Sequence, residues 1–152
     1  MALGAAESEF VERFSSLLTV EGGMPRMPAR AFACILVDDD GDVTAAELAE
    51  RLQVSPAAVS GAVRYLVQTS LVTRVRKAGE RADHVRLADD TWYETMMSRG
   101  RLLARFEQVA AEGAAAIGAG PAARRLDETR SFFAFVGREM PLMLERWRRE
   151  RG

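Results

Sequence analysis

Between Thr44 and Leu87 the chain reads TAAELAERLQVSPAAVSGAVRYLVQTSLVTRVRKAGERADHVRL, and one change of hydrophobic period within that stretch decides what it can fold into. Up to Gln68 the apolar residues recur three and four apart, as on an amphipathic helix; from Leu71 they alternate, as on a half-buried strand. Thr44 opens the first helix as its N-cap, and Glu47 is placed to reach back to the free amides in a capping box. Ala45, Leu48, Ala49 and Leu52 form its apolar stripe. Ser55 caps a second helix whose first position is Pro56, a residue with a preset φ and no N–H to leave unpaired. Val59, Ala62, Val63, Leu66 and Val67 give that helix one face to bury. Only Gln53 and Val54 separate the two, a link too short for antiparallel packing, so the helices must cross steeply as a helix-turn-helix pair does.

The face of the second helix left for solvent carries Ser55, Ala57, Ser60, Gly61, Arg64 and Gln68. Small residues toward its N-terminal end let a backbone sink into a DNA major groove, with Arg64 placed to read a base or hold a phosphate. Any compact helical domain can contain such a pair, and the hairpin that follows is what favours a nucleic-acid reading. Leu71–Arg76 and His84–Leu87 alternate as two strands about a turn of Lys77, Ala78, Gly79, Glu80 and Arg81. From Ser55 to Leu87 the bases Arg64, Arg74, Arg76, Lys77, Arg81 and Arg86 face only Glu80 and Asp83, in a chain whose net charge is −1. A local cationic excess of this kind is what a phosphate-facing surface requires. The layout is a winged helix-turn-helix, with Gln53 in the turn where many such pairs use glycine.

With this helix pair and the wing sequence GERADHVRL, the chain resembles the MarR-type regulators, and within them a GbsR-like branch. The resemblance extends over nearly the whole chain. It implies that the helix from Ser55 to Gln68 enters the major groove, that Arg81 at the wing tip reaches the neighbouring minor groove, that Lys77 contacts phosphate, and that Asp83 braces the wing arginines. It also implies repression as the usual mode of action.

At 152 residues the chain is long enough for one domain with a real core. No apolar run approaches a membrane span and the N-terminus lacks the pattern of a signal peptide, so a cytoplasmic protein is expected. The lone Cys34 lies in the apolar run Ala31 to Val37 and reads as a buried core thiol. Two helices are expected ahead of the motif, Ala5 to Val20, striped by Phe10, Phe14, Leu17 and Leu18, and about Met27 to Val37. A long helix is expected from near Thr91, with Asp89 and Asp90 at its positive end. It should break at Gly118, Gly120 and Pro121 before a last helix that Pro141 bends. The expected fold class is mainly α with a small β-wing: a winged helix-turn-helix with flanking dimerisation helices. Residues 1–24 would form an N-terminal dimerisation helix, 25–88 the DNA-binding region and 89–152 the C-terminal dimerisation helices. Outer helices this long and apolar call for a homodimer about a two-fold axis, presenting two recognition helices to a palindromic operator in double-stranded DNA. The alternative is that they fold back into a larger monomeric core.

The run DDDGDVTAAEL, Asp38 to Leu48, imitates a calcium loop, but in neither register do carboxylates fall on all the ligand positions. It therefore reads as a solvated turn before a capped helix, with no metal and no cofactor. His84, the only histidine, sits on the wing facing solvent or phosphate, and nothing in the chain assembles a catalytic site, so a non-enzyme is expected. Trp92, Met96, Phe106 and Phe132 are candidates for lining a small-molecule effector pocket, although at helical spacing they read first as core or dimer interface. Two rival roles stay open: a winged-helix module for protein contact, and a ligand or calcium sensor without DNA contact.

Overall fold

The computed structural model describes residues 2–88, 97 and 100–152. The chain divides into two units, Met1–Trp92 and Tyr93–Gly152.

The first unit is built around α2 (Arg26–Leu36), in which Ala29, Ala31, Phe32, Ala33, Cys34 and Ile35 are all fully buried. A helix buried nearly all round must be wrapped by others, and α2 packs against α1 (Ala5–Val20), α3 (Ala45–Leu52) and α4 (Pro56–Gln68). Both predicted caps form. Thr44 Oγ1 accepts the Glu47 amide at 3.1 Å while Glu47 accepts the Thr44 amide at 2.7 Å, and Ser55 Oγ accepts the Ala58 amide at 3.2 Å. Leu48 and Leu52 of α3 and Val59, Val63 and Leu66 of α4 are buried where these helices pack on each other and on α2; each such burial is worth roughly 1.5–3 kcal/mol. Between α3 and α4 the chain reverses through Gln53, whose φ of 55° and ψ of 48° are left-handed.

The wing strands are β2 (Val72–Arg76) and β3 (Asp83–Leu87), joined across the expected turn. A third strand, β1 (Asp42–Thr44), pairs antiparallel with the other edge of β3, giving the order β1-β3-β2. This corrects the reading of the acidic run as a solvated turn. Gly41, with φ of 61°, turns the chain into β1, and the side chain of Asp38 is folded in to meet Arg51 at 2.7 Å and the amides of Asp40 and Asp42.

Two stripes also differ from expectation. On α1 the buried residues are Val11, Ser15 and Leu18, whereas Leu17 is 59% exposed, because the apolar surface of this helix is wider than the side α2 covers. On α4 Val67 emerges at the rim of the buried face, 36% exposed.

The second unit is a helical hairpin of α5 (Gly100–Ile117) and α6 (Pro121–Arg151), broken at Gly118–Gly120 as the glycines and Pro121 require. A Cβ on Gly113 would come within 3.1 Å of Leu126, so glycine permits a close approach there. Phe106 stacks on Phe133 at 5.1 Å and Phe132 meets Phe133 edge-on at 5.4 Å. The helix continues through Pro141, which has no N–H to offer the Gly137 carbonyl. Asp89, Asp90 and Thr91, expected at the start of the long helix, lie outside the described residues.

Candidate nucleic-acid interface

One face of α4 emerges intact from the packing. Ser55, Ala57, Ser60, Gly61, Arg64 and Gln68 are all exposed, while Val59, Ala62, Val63 and Leu66 on the other side are buried. A Cβ placed on Gly61 would meet nothing within 4 Å, so no internal contact demands glycine. Its effect is outward: it leaves helix backbone open to close approach from solvent.

The strand register sorts the wing's charges onto two faces. Val85 lies opposite Val43 on one side and Arg74 on the other, so Arg74 shares the face of the sheet that holds the buried valines. It lines a groove of about 240 Å³ together with Ser60 and Val63 of α4, Ala45 of α3 and Asp83 of β3. Arg64, Arg74 and Arg81 have no ion-pair partner among the described residues, and each is exposed. Arg76 is 3.7 Å from Asp83, a loose exposed pair.

The opposite face is organised by Asp42. It sits directly across from Arg86, and His84, two residues along β3, is its diagonal neighbour. The Asp42 carboxylate, 5% exposed, accepts from Arg86 Nη2 at 2.7 Å and Nε at 3.2 Å and from His84 Nδ1 at 2.7 Å, and it pairs with Lys77 Nζ at 3.2 Å. Burial alone would raise its pKa, but the hydrogen bonds from Arg86, Lys77 and His84 outweigh that and lower it from 3.8 to about 2. The second ring nitrogen of His84 faces Glu80 in the wing turn, and the Glu80 hydrogen bond, followed by that of Asp42, raises the imidazole pKa above its ordinary value against the effect of burial. His84 is thus buried in a carboxylate bridge, not turned to solvent or phosphate as expected; β1, unseen in the sequence, covers it.

The basic cluster is therefore unequal in what it offers. Lys77 and Arg86 are already opposed by Asp42, whereas Arg64, Arg74 and Arg81 keep their full charge for a partner. Arg74 and Asp42 were not singled out from the sequence. The alternation of β2 was signal enough to put Arg74 beside the valines; nothing local marked Asp42. Among the aromatic candidates for an effector pocket, Phe106 and Phe132 are 49% and 59% exposed, and Trp92 and Met96 lie outside the described residues. Among the described residues no helix is long and apolar enough to cross a membrane.

Known proteins bear on this geometry. A family model for the MarR family matches residues 23–82, and one described as MmpR5-like MarR family transcriptional regulator matches residues 90–150. The HTH-type transcriptional regulator MmpR5 of Mycobacterium tuberculosis is 29% identical over 130 residues, spanning 84% of this chain and 78% of that protein. The crystal structure of a transcriptional regulator superposes with a TM-score of 0.76 at 27% identity, covering 95% of this chain and 99% of its own. TrmBL2, an archaeal chromatin protein with a novel mode of DNA binding, shares the fold at a TM-score of 0.53 and 18% identity, over 68% of this chain and 38% of its own. The observed fold, mainly helical with a three-stranded antiparallel wing, agrees with these relatives, and the two family models, matching residues 23–82 and 90–150, support placing the chain with the MarR-family winged-helix transcriptional regulators, a family of DNA-binding proteins that are not enzymes.

Proposed function

We propose that the protein is a homodimeric repressor that binds a palindromic operator, with α4 in the major groove and the wing against the flanking backbone. The observation that carries this reading is the exposed face of α4, Ser55 to Gln68, beside a groove lined by Arg74, which forms no ion pair among the described residues. Arg64 and Gln68 would meet base edges, Ser55, Ala57, Ser60 and Gly61 would allow close approach, Arg81 would reach the adjacent minor groove, and Arg76 and Lys77 would hold phosphates. Support for a dimer comes from what each unit leaves uncovered. Among the described residues of the helical hairpin only Ala110 and Ala123 are buried, while Leu102, Phe106, Val109, Phe135, Leu142 and Trp147 are exposed. On α1, Phe10 stacks on Phe14 at 5.1 Å beside exposed Leu17, a second apolar stripe. A two-fold assembly would cover such surfaces and set two recognition helices about one turn of DNA apart.

Small-molecule control is part of the proposal, with Trp92, Met96, Phe106 and Phe132 as the pocket candidates and a shift in half-site spacing as the mechanism. Within the family the wing sequence GERADHVRL supports a GbsR-like placement, and the match over residues 90–150 supports kinship with MmpR5-like regulators. Equilibrium binding to the DNA upstream of the protein's own gene, against a scrambled duplex and across a salt series, tests the reading. Selective binding with a steep salt slope is expected. Weak binding, equal on both duplexes, would overturn it and leave a protein-contact role for the wing.

A further inference from the structure

His84 stands between two carboxylates, with Asp42 Oδ1 at 2.7 Å from Nδ1 and a Glu80 carboxylate oxygen against Nε2. Ionised carboxylates only accept hydrogen bonds, and a neutral imidazole donates from one nitrogen only. Both contacts hold together only when the ring carries both protons. The two partners differ in what they can do when a proton leaves. Asp42 is buried on β1 and fixed by Arg86 and Lys77; the Glu80 carboxylate is half exposed in the turn Lys77–Arg81, with no other side-chain partner among the described residues, its backbone amide donating to the Lys77 carbonyl at 3.2 Å. The remaining charges facing this group are Lys77, which opposes protonation, and Arg86 on the far oxygen of Asp42. The neighbours of His84 on the two strands packed beside it, Thr44 and Val75, are uncharged.

We propose that His84 is a proton-operated clamp on the wing: doubly protonated, it ties the wing turn through Glu80 to the body of the sheet, and on deprotonation it keeps Asp42 and releases Glu80. The turn so released carries Arg81 at its end. For the part that concerns DNA this rests on the regulator reading above. Holding the turn removes conformational freedom that Arg81 would otherwise lose on reaching the minor groove, so protonation raises DNA affinity.

The single histidine makes the test direct. In the intact protein, nitrogen-detected NMR of the His84 ring follows both nitrogens through a pH titration, and amide exchange at Gly79 and Arg81 reports the turn. The expected result is a ring with both nitrogens protonated at neutral pH, a titration displaced upward from that of a free histidine, and faster exchange in the turn as the proton leaves. Glu80→Gln, a surface change that leaves the fold intact, should lower the titration midpoint and loosen the turn at neutral pH. A ring that titrates like free histidine, or one that Glu80→Gln leaves unmoved, overturns the clamp. On operator DNA, affinity should fall about threefold to tenfold across the His84 titration, the scale of one net hydrogen bond, and Glu80→Gln should flatten that dependence. Affinity that stays constant while the ring titrates overturns the link to DNA. Absence of selective DNA binding at every pH overturns the regulator reading instead, and the NMR arm still decides the clamp.

Discussion

Lys77 and Arg74 carry equal charge on the same wing, yet the register gives them different work. Asp42 already opposes Lys77, whereas Arg74 lines the groove beside α4 and forms no ion pair among the described residues, although Asp83 lines the same groove. In DNA titrations Arg74→Ala should therefore reduce the salt slope by about one, the value for one phosphate contact, and Lys77→Ala should reduce it clearly less. Equal slopes for the two variants would show that Asp42 gives Lys77 up on binding. Gln53 presents a second single-residue case. A left-handed side-chain-bearing residue costs roughly 1–2 kcal/mol, and glycine removes that cost against its own larger unfolded-state entropy. Gln53→Gly should stabilise the fold by about 0.5 kcal/mol, visible as a higher urea midpoint at unchanged m-value. At this scale much was legible in the sequence, because caps such as Thr44 and Ser55 act on amides three residues away and the code for them is local. His84 was misread for the converse reason: its partner Asp42 is 42 residues distant.

Helices α1 to α4 could be read from their periods, and so could the hairpin, since each carries enough residues to display a repeat. Strand β1 could not. Three residues show no alternation, and Asp42, Val43 and Thr44 become a strand only because β3 offers an edge. That edge strand places a buried carboxylate under three cations, and the placement has a pH signature. A carboxyl held near 2 instead of 3.8 is stabilising above about pH 4, and its contribution disappears as pH falls through that window toward 2. Lys77 and Arg86 are partly exposed and screened by solvent, so the contribution is set at about 1 kcal/mol. Denaturant unfolding between pH 2 and 6 should show Asp42→Asn less stable than the parent at pH 6 and the gap closing at the acid end. A gap that persisted at pH 2 would assign the loss to packing.

At the scale of the whole molecule the sequence led to surfaces that a lone chain does not cover. The second stripe of α1 was visible as Phe10, Phe14 and Leu17, but which side of that helix would face α2 was not, because both sides are apolar. On the homodimer proposed above, Leu17→Glu should leave far-UV helicity unchanged, since the side chain is largely exposed, while sedimentation equilibrium should show self-association weakened by about tenfold or more, as a charge in an apolar contact demands. An unaltered association constant would move the dimer contact to other helices. Cys34 behaves in the opposite way. It is 0% exposed at the centre of α2, and burial pushes its thiol up. A soluble thiol reagent can reach that sulfur only during excursions in which the helices around α2 part. Since the chain has no other cysteine, its labelling rate, divided by that of an unfolded thiol, gives the opening equilibrium of the helical core directly. Measured with and without DNA, that rate would tell how far an event at the outer face of α4 is felt at the centre of the fold.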